Sequence, residues 1–148
     1  HPGTKYLHGE KFTRGLGKFH PIKHSAFAED IDNDFPFLLT TGRNLYHYHI
    51  TMTAKTKGLN ELAGLPYIEI NPNDALKYGI KGHDLIYVYS RRGAITVPAK
   101  IVDTIKEGVV FIPLHYVQAP VNVITSDAFD RYTKTPAFKV CAVGIKKV

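Results

Sequence analysis

The chain has 148 residues, 44% of them hydrophobic and 22% charged, which is enough for one domain around one hydrophobic core. No apolar run approaches the roughly 18–20 residues that a membrane-crossing helix needs, so no membrane insertion is expected, and a single cysteine, Cys141, excludes an internal disulfide and a cysteine-built metal or iron–sulfur site within the chain. The net charge of +6 is spread over scattered lysines and arginines with two short doublets, Arg91-Arg92 and Lys146-Lys147, which reads first as solvated surface, then as a site for an anionic ligand or partner subunit, and last as a nucleic-acid surface.

In chain order, residues 1–34 form a lead-in unlike the rest. Arg14-Gly15-Leu16-Gly17-Lys18-Phe19 is too glycine-rich for a stable helix, and the acidic stretch Glu29-Asp30-Ile31-Asp32-Asn33-Asp34 reads as a solvated linker. The chain opens on His1-Pro2, with no visible signal sequence, as a fragment or processed product of a cytoplasmic protein would. From Pro36 the pattern tightens. Residues 37–41 read as a strand, residues 46–53 alternate weakly, and residues 59–63 form a helical turn closed by Gly64. Residues 67–70 are a second strand. A short helix follows, with Asn71 as N-cap, Pro72 at its first position, Asp74 in the first turn and Gly79 just past its end. Residues 84–90 and 94–102 read as strands joined by the turn Arg91-Arg92-Gly93, and Pro98 puts the second of them at a sheet edge or marks a bulge. Residues 109–113 and 139–145 complete about six strands, with a loop-rich section from Val121 between them. The sum is a mainly β domain over residues 35–148, closed or nearly so, with a few short helices.

The stretch Thr40-Thr41-Gly42-Arg43-Asn44-Leu45-Tyr46-His47-Tyr48-His49-Ile50-Thr51 carries the chemistry. A strand ending at Thr-Gly-Arg presents backbone N–H groups, hydroxyls and a forked guanidinium together, which suits an anionic, planar, hydrogen-bonding ligand. On a strand, His47 and His49 would share a face, yet a metal site would need further ligands that nothing nearby supplies. Arg91-Arg92 reads as a hairpin tip of solvated charge and Cys141 as an inert buried thiol. Asn122 and Lys139 read by default as a loop asparagine and a surface lysine. No GxSxG, HExxH, P-loop or GxGxxG pattern occurs.

Several separated blocks resemble the C-terminal dinucleotide-binding domain of the molybdenum- or tungsten-dependent oxidoreductases, formate dehydrogenase catalytic subunits above all. They are FPFLLTTGRNLYHYHITMT at residues 35–53, YIEINP with Asp74-Ala75 and Gly82-His83-Asp84, then Ser90-Arg91-Arg92-Gly93, GVVFIP at 108–113, Asn122-Val123-Ile124-Thr125, and KTPAFKVCAV at 134–143. The lead-in, with Leu7-His8-Gly9-Glu10 and Gly17-Lys18-Phe19, also resembles the segment ahead of that domain. The sequence departs from the family at Ile50, where threonine is usual, at Ala54-Lys55, where two arginines are common, and at Leu114, where an aromatic is frequent.

The resemblance implies a double-psi β-barrel that binds molybdopterin guanine dinucleotide. It places Thr40, Thr41, Gly42, Arg43, Asn44, Leu45, Tyr46, His47, Tyr48, His49, Ile50 and Thr51 along the pterin and pyrophosphate, with Asn122 and Lys139 adding contacts. In the whole enzyme two such cofactors hold molybdenum or tungsten, mainly through upstream domains of the same polypeptide, and an electron-transfer subunit is a further partner. This chain, lacking the metal-ligating residue and the cluster cysteines, is expected to bind cofactor and not to catalyse formate oxidation to carbon dioxide alone. A separate small subunit of formylmethanofuran dehydrogenase is the alternative within the resemblance. A basic nucleic-acid-binding β-barrel is the alternative from another class.

Overall fold

The structure is a computed structural model that describes residues 3–48 and 51–148. Residues 3–36 contain no helix or strand, only a single bridge between Phe12 and Gly15. Six strands follow: β1 (Phe37–Gly42), β2 (Ile68–Ile70), β3 (Leu85–Tyr89), β4 (Ala94–Ile101), β5 (Val109–Pro113) and β6 (Cys141–Lys147). Two short helices, α1 (Lys57–Ala63) and α2 (Pro72–Lys77), and a 3-10 turn at Val121–Val123 complete the elements.

The strands close into a barrel in the order β1-β5-β2-β4-β3-β6, with β6 pairing back onto β1. Two neighbouring pairs, β1 with β5 and β2 with β4, are parallel and the rest antiparallel. Exchanging β1 with β4, β2 with β5 and β3 with β6 leaves every pairing and direction unchanged. The barrel therefore has the pseudo-two-fold crossover topology of a double-psi β-barrel, as the resemblance implies. Alternate residues point inward and fill the centre: Leu39 on β1, Ile70 on β2, Val88 on β3, Val97 on β4, Ile112 on β5 and Val143 on β6 are all fully buried.

Local sequence signals were sound where the structure they specify is local. In α2 the Asn71 side chain accepts from the Asn73 N–H, Pro72 takes the first helical position, and Gly79 follows the end at φ +64°. Pro98 does not mark an edge, because β4 lies between β2 and β3. Ala99 N–H donates to Asp84 O on the β3 side, so the Pro98 nitrogen faces the other way. There β2 begins only at Ile68, opposite Ala99, and the missing N–H costs no ladder bond.

Pairing directions bring specific strand ends together. The C-terminal ends of β1, β3 and β5 and the N-terminal ends of β2, β4 and β6 share one mouth of the barrel. The mouth thus collects the β1–β2 connection with α1, the β3–β4 hairpin tip, and the long β5–β6 connection. The opposite end holds α2 and the turn at 102–108.

Gly144 sits opposite Tyr89 in the β3–β6 ladder, and the tyrosine ring lies across it. A Cβ built there would stand 2.2 Å from Tyr89 Cζ. Gly144→Ala is expected to cost about 1–3 kcal/mol through this overpacking. Tyr89→Ala in the same chain removes the obstacle, so the double variant should lose less than the sum of the two single losses in urea unfolding. Additive losses would show that the ring does not set the requirement for glycine.

Candidate functional site

β1 delivers the Thr-Gly-Arg end to the mouth. Thr41 points inward and is 3% exposed, and its hydroxyl donates to Phe138 O at 2.5 Å. Thr40 lies on the other face of the strand. Gly42 leaves room for the Phe111 ring, since a Cβ there would stand 2.8 Å from its edge and the ring would have to shift. Because β6 pairs antiparallel with β1, the residues just ahead of β6 return to the same end. Lys139, 98 residues from Thr41 in sequence, donates its ammonium to Thr41 O at 2.7 Å and is otherwise exposed. Arg43 is exposed, with no hydrogen-bond or ion-pair partner among the described residues. Two cations thus stand at one strand end.

Residues 44–48 bend away instead of forming a strand. The cause is Asn44, whose side-chain oxygen accepts from the N–H groups of Tyr46 at 3.1 Å and His47 at 2.8 Å, an alternative to the ladder. The shared strand face expected for His47 and His49 therefore does not form at His47, and His49 and Ile50 lie outside the described residues. His47 is 2% exposed. Its Nε2 lies 2.9 Å from Ala63 O, which can only accept, so Nε2 carries the proton and donates. Nδ1 then accepts from the Thr53 hydroxyl at 3.0 Å, while that oxygen accepts from Tyr48 N–H.

His115 stacks on His47 with centroids 3.9 Å apart and donates Nδ1–H to Tyr48 O. Tyr116 accepts from Asn44 Nδ2 and donates to Ala63 O, each at 2.8 Å. Burial and the neighbouring Tyr67 push the Tyr116 hydroxyl up from its ordinary value, against the hydrogen bond from Asn44, which keeps it a donor. The side chains of Asn44 and His47 are therefore used within the protein, fastening the connection after β1 to the end of α1. Leu45 and Tyr46 face outward and border an open cleft of about 670 Å³ with Leu62, Leu65, Tyr67 and Lys100. Thr51 is exposed in a turn, where its carbonyl accepts from Ala54 N–H. Asn122 is exposed on the 3-10 turn, which packs Val123 against Gly93 of the hairpin tip.

The Arg91-Arg92 doublet is ion-paired and not free, with Arg92 half-buried and Arg91 still exposed. Arg91 donates to Glu29 Oε1 at 2.6 Å and also pairs with Asp32, and its guanidinium covers the Phe35 ring. Arg92 donates to both oxygens of Glu29, at 3.0 and 2.8 Å, and to Ile124 O at 3.3 Å. The acidic stretch expected to be solvated is thus docked on the hairpin tip through Glu29, whose side chain is 9% exposed. Burial works against the Glu29 charge, but hydrogen bonds from Arg92, Ala142 N–H and Arg91 outweigh it and hold the carboxyl below its ordinary range. Cys141 is fully buried, with its thiol pushed up by burial, and matches the inert reading. Among the described residues no three His, Cys, Asp or Glu side chains gather as metal ligands, and no helix is long and apolar enough to cross a membrane. Thr53 belongs to the 35–53 block read from the sequence, whereas His115 and Tyr116 as its partners were not legible there.

The family model described as the molydopterin dinucleotide binding domain matches residues 37–142. The alpha subunit of the F420-dependent formate dehydrogenase of Methanocaldococcus jannaschii is 50% identical over 100% of this chain and 22% of its own length. The periplasmic nitrate reductase of Desulfovibrio desulfuricans is 32% identical over 99% of this chain and 19% of its own length. Among solved structures, acetylene hydratase from Pelobacter acetylenicus superposes with a TM-score of 0.66 at 17% identity, covering 77% of this chain and 18% of that one, a likeness of fold. The chain belongs to the molydopterin dinucleotide binding domain family, and it spans about a fifth of the length of the curated relatives it matches.

Two outcomes test the site's wiring. Asn44→Ala strips the acceptor from two N–H groups and the donor from Tyr116, and should cost about 1–3 kcal/mol in urea unfolding, with faster exchange of the His47 amide. Because Glu29 is held below its ordinary value of 4.5, its contribution is complete above that value and is lost as pH falls below it. Wild-type stability should therefore fall more steeply than that of Glu29→Gln on acidification below that value; parallel curves would contradict the assignment.

Proposed function

We propose that the mouth of this barrel is one wall of a molybdopterin guanine dinucleotide site, formed by residues 40–51 together with Asn122 and Lys139. The observation that carries the reading is the meeting of Arg43 and Lys139 at the end of β1, with Lys139 anchored on Thr41 O. The donor set fits the group. Arg43 offers a planar fork and Lys139 two further N–H donors to a pyrophosphate, and Tyr46 and Tyr67 along the cleft offer flat faces to a ring. Asn122 adds an amide to the same mouth. Thr41, Asn44 and His47 act one step back, because their side chains already hold Phe138, Tyr116, Thr53 and Ala63 in place. His49 and Ile50 complete the wall in sequence.

The parent enzyme is proposed to be formate dehydrogenase-like, in line with the relative at 50% identity. When bound, two such dinucleotides present molybdenum or tungsten, which takes up the two electrons of formate oxidation. The residues of this chain bind and orient one part of that assembly. The second wall, the metal ligand and an electron-transfer subunit belong to other parts of the enzyme. The nucleic-acid reading loses its main support, since the arginine doublet is neutralised by Glu29 and Asp32.

The test is a titration of the isotope-labelled 148-residue chain with molybdopterin guanine dinucleotide, followed by backbone amide shifts. Shifts are expected from Thr40 to Thr51 and at Asn122 and Lys139. Arg43→Ala should weaken binding by about 10–100-fold, the value of a charged hydrogen-bonded contact. Shifts centred on Tyr87, Tyr89 and Lys146, or an Arg43→Ala affinity equal to wild type, would overturn the placement.

A further inference from the structure

Glu29 stands well outside the stretch that carries the chemistry, yet it joins three separate parts of the mouth. Its carboxylate accepts from both Arg91 and Arg92 at the β3–β4 hairpin tip. Its Oε2 also accepts from the backbone N–H of Ala142, at 3.1 Å, 113 residues away in sequence. That N–H has a particular need. Leu38 N–H donates to Gly108 O on the β5 side, so Leu38 and Ala142 face each other without exchanging hydrogen bonds, and the Ala142 N–H points toward β3. The β3–β6 ladder, however, ends at Tyr89 opposite Gly144, because the chain turns off into the hairpin at Ser90. Glu29 supplies the acceptor that a longer β3 would have supplied. The fourth connection runs through Arg92, whose guanidinium reaches Ile124 O beside the 3-10 turn that carries Asn122.

We infer that Glu29 is a positioning residue for the cofactor mouth: through Ala142 it fixes the start of β6 next to Lys139, and through Arg92 it fixes the loop that carries Asn122. This rests on the cofactor-wall reading for its consequence, although the mechanical coupling can be measured without ligand. Asp32 serves a different task, and Arg91 divides between Asp32 and Glu29. Asp32 accepts from the N–H groups of Asp34 and Phe35 and pairs with Arg91, which shapes the approach to β1. Neither reaches Ala142 or Ile124.

The experiment compares Glu29→Gln, Glu29→Asp, Glu29→Ala and Arg91→Ala in the full 148-residue chain, first without ligand. Glu29→Gln removes the charge at constant size and should raise amide exchange at Ala142 up to about tenfold, as a charge-assisted hydrogen bond becomes a neutral one to the amide oxygen. It should also shift the amides of Lys139, Asn122 and Ile124 and leave those of Leu39 and Val110 in place. Glu29→Asp should restore part of the effect, and Arg91→Ala, which removes one partner of Glu29 but leaves its bonds to Ala142 and Arg92, should move Lys139 and Asn122 less than Glu29→Gln does. If Glu29→Ala fails to fold, the other two Glu29 variants still decide. Changes confined to residues 28–35 and the hairpin tip would overturn the inference. Addition of molybdopterin guanine dinucleotide then separates the two claims. Weaker binding in Glu29→Gln at unchanged wild-type contacts supports positioning, and equal affinity in Glu29→Gln and wild type overturns it. Absence of wild-type shifts at Arg43 and Lys139 sinks the cofactor wall while the ligand-free coupling stands or falls separately.

Discussion

The constraint on which the rest depends is the closure of the barrel through β1. This strand is held on one side by parallel pairing with β5 and on the other by antiparallel pairing with β6. Parallel neighbours need a crossover connection, so β1 and β5 can be adjacent only if the chain leaves the mouth, crosses the barrel and returns. Antiparallel β6 must then begin where β1 ends. Together these pairings set Lys139 beside Thr41, although each residue alone is unremarkable in the sequence. A shift of two residues in the β1–β6 register would keep the inward faces inward and still carry Lys139 away from the strand end. The position of the cations is therefore a property of register and not of the local sequence around either of them.

How much could be read in advance follows from the same distinction. The α2 helix was legible because its cap, its proline and its terminal glycine lie within nine residues and act on their own backbone. The six strands were legible as short apolar runs bounded by turn residues, with alternating burial in β1 and continuous burial from Cys141 to Ile145 in β6. The weak alternation after Tyr46 misled because Asn44 offers its side-chain oxygen to two backbone N–H groups, and a local acceptor outcompetes a ladder with no partner strand. The partners of His47 and of the arginine doublet were not legible. His115 and Glu29 lie 68 and 62 residues away from His47 and Arg91, and no periodicity links them.

The signature stretch divides into side chains engaged within the protein and side chains left exposed at the mouth. A buried polar group is costly unless satisfied, and once satisfied it has little left to offer. His47 has both ring nitrogens engaged, Asn44 uses its oxygen and its amide, and Thr41 gives its proton to Phe138 O. These side chains fix the path of the connection after β1. Arg43 remains exposed beside them. Under the cofactor-wall proposal, such a satisfied frame beside Arg43, which has no partner among the described residues, leaves little ordering entropy to lose on binding an anion.

The charge cluster on the lead-in sharpens that arrangement. Arg91 and Arg92 carry two positive charges and Glu29 and Asp32 two negative ones, so the cluster is neutral as a whole. Without the acidic pair, the hairpin tip would present two guanidinium groups at the same mouth as Arg43 and Lys139, and an anion would find a broad field with no preferred seat. With the pair in place, the doublet acts as a structural fork that reaches Ile124 and not as a competing anion site. The net charge of +6 then understates how selective the mouth is. Arg43 and the anchored Lys139 remain exposed at the end of β1, apart from this neutral cluster.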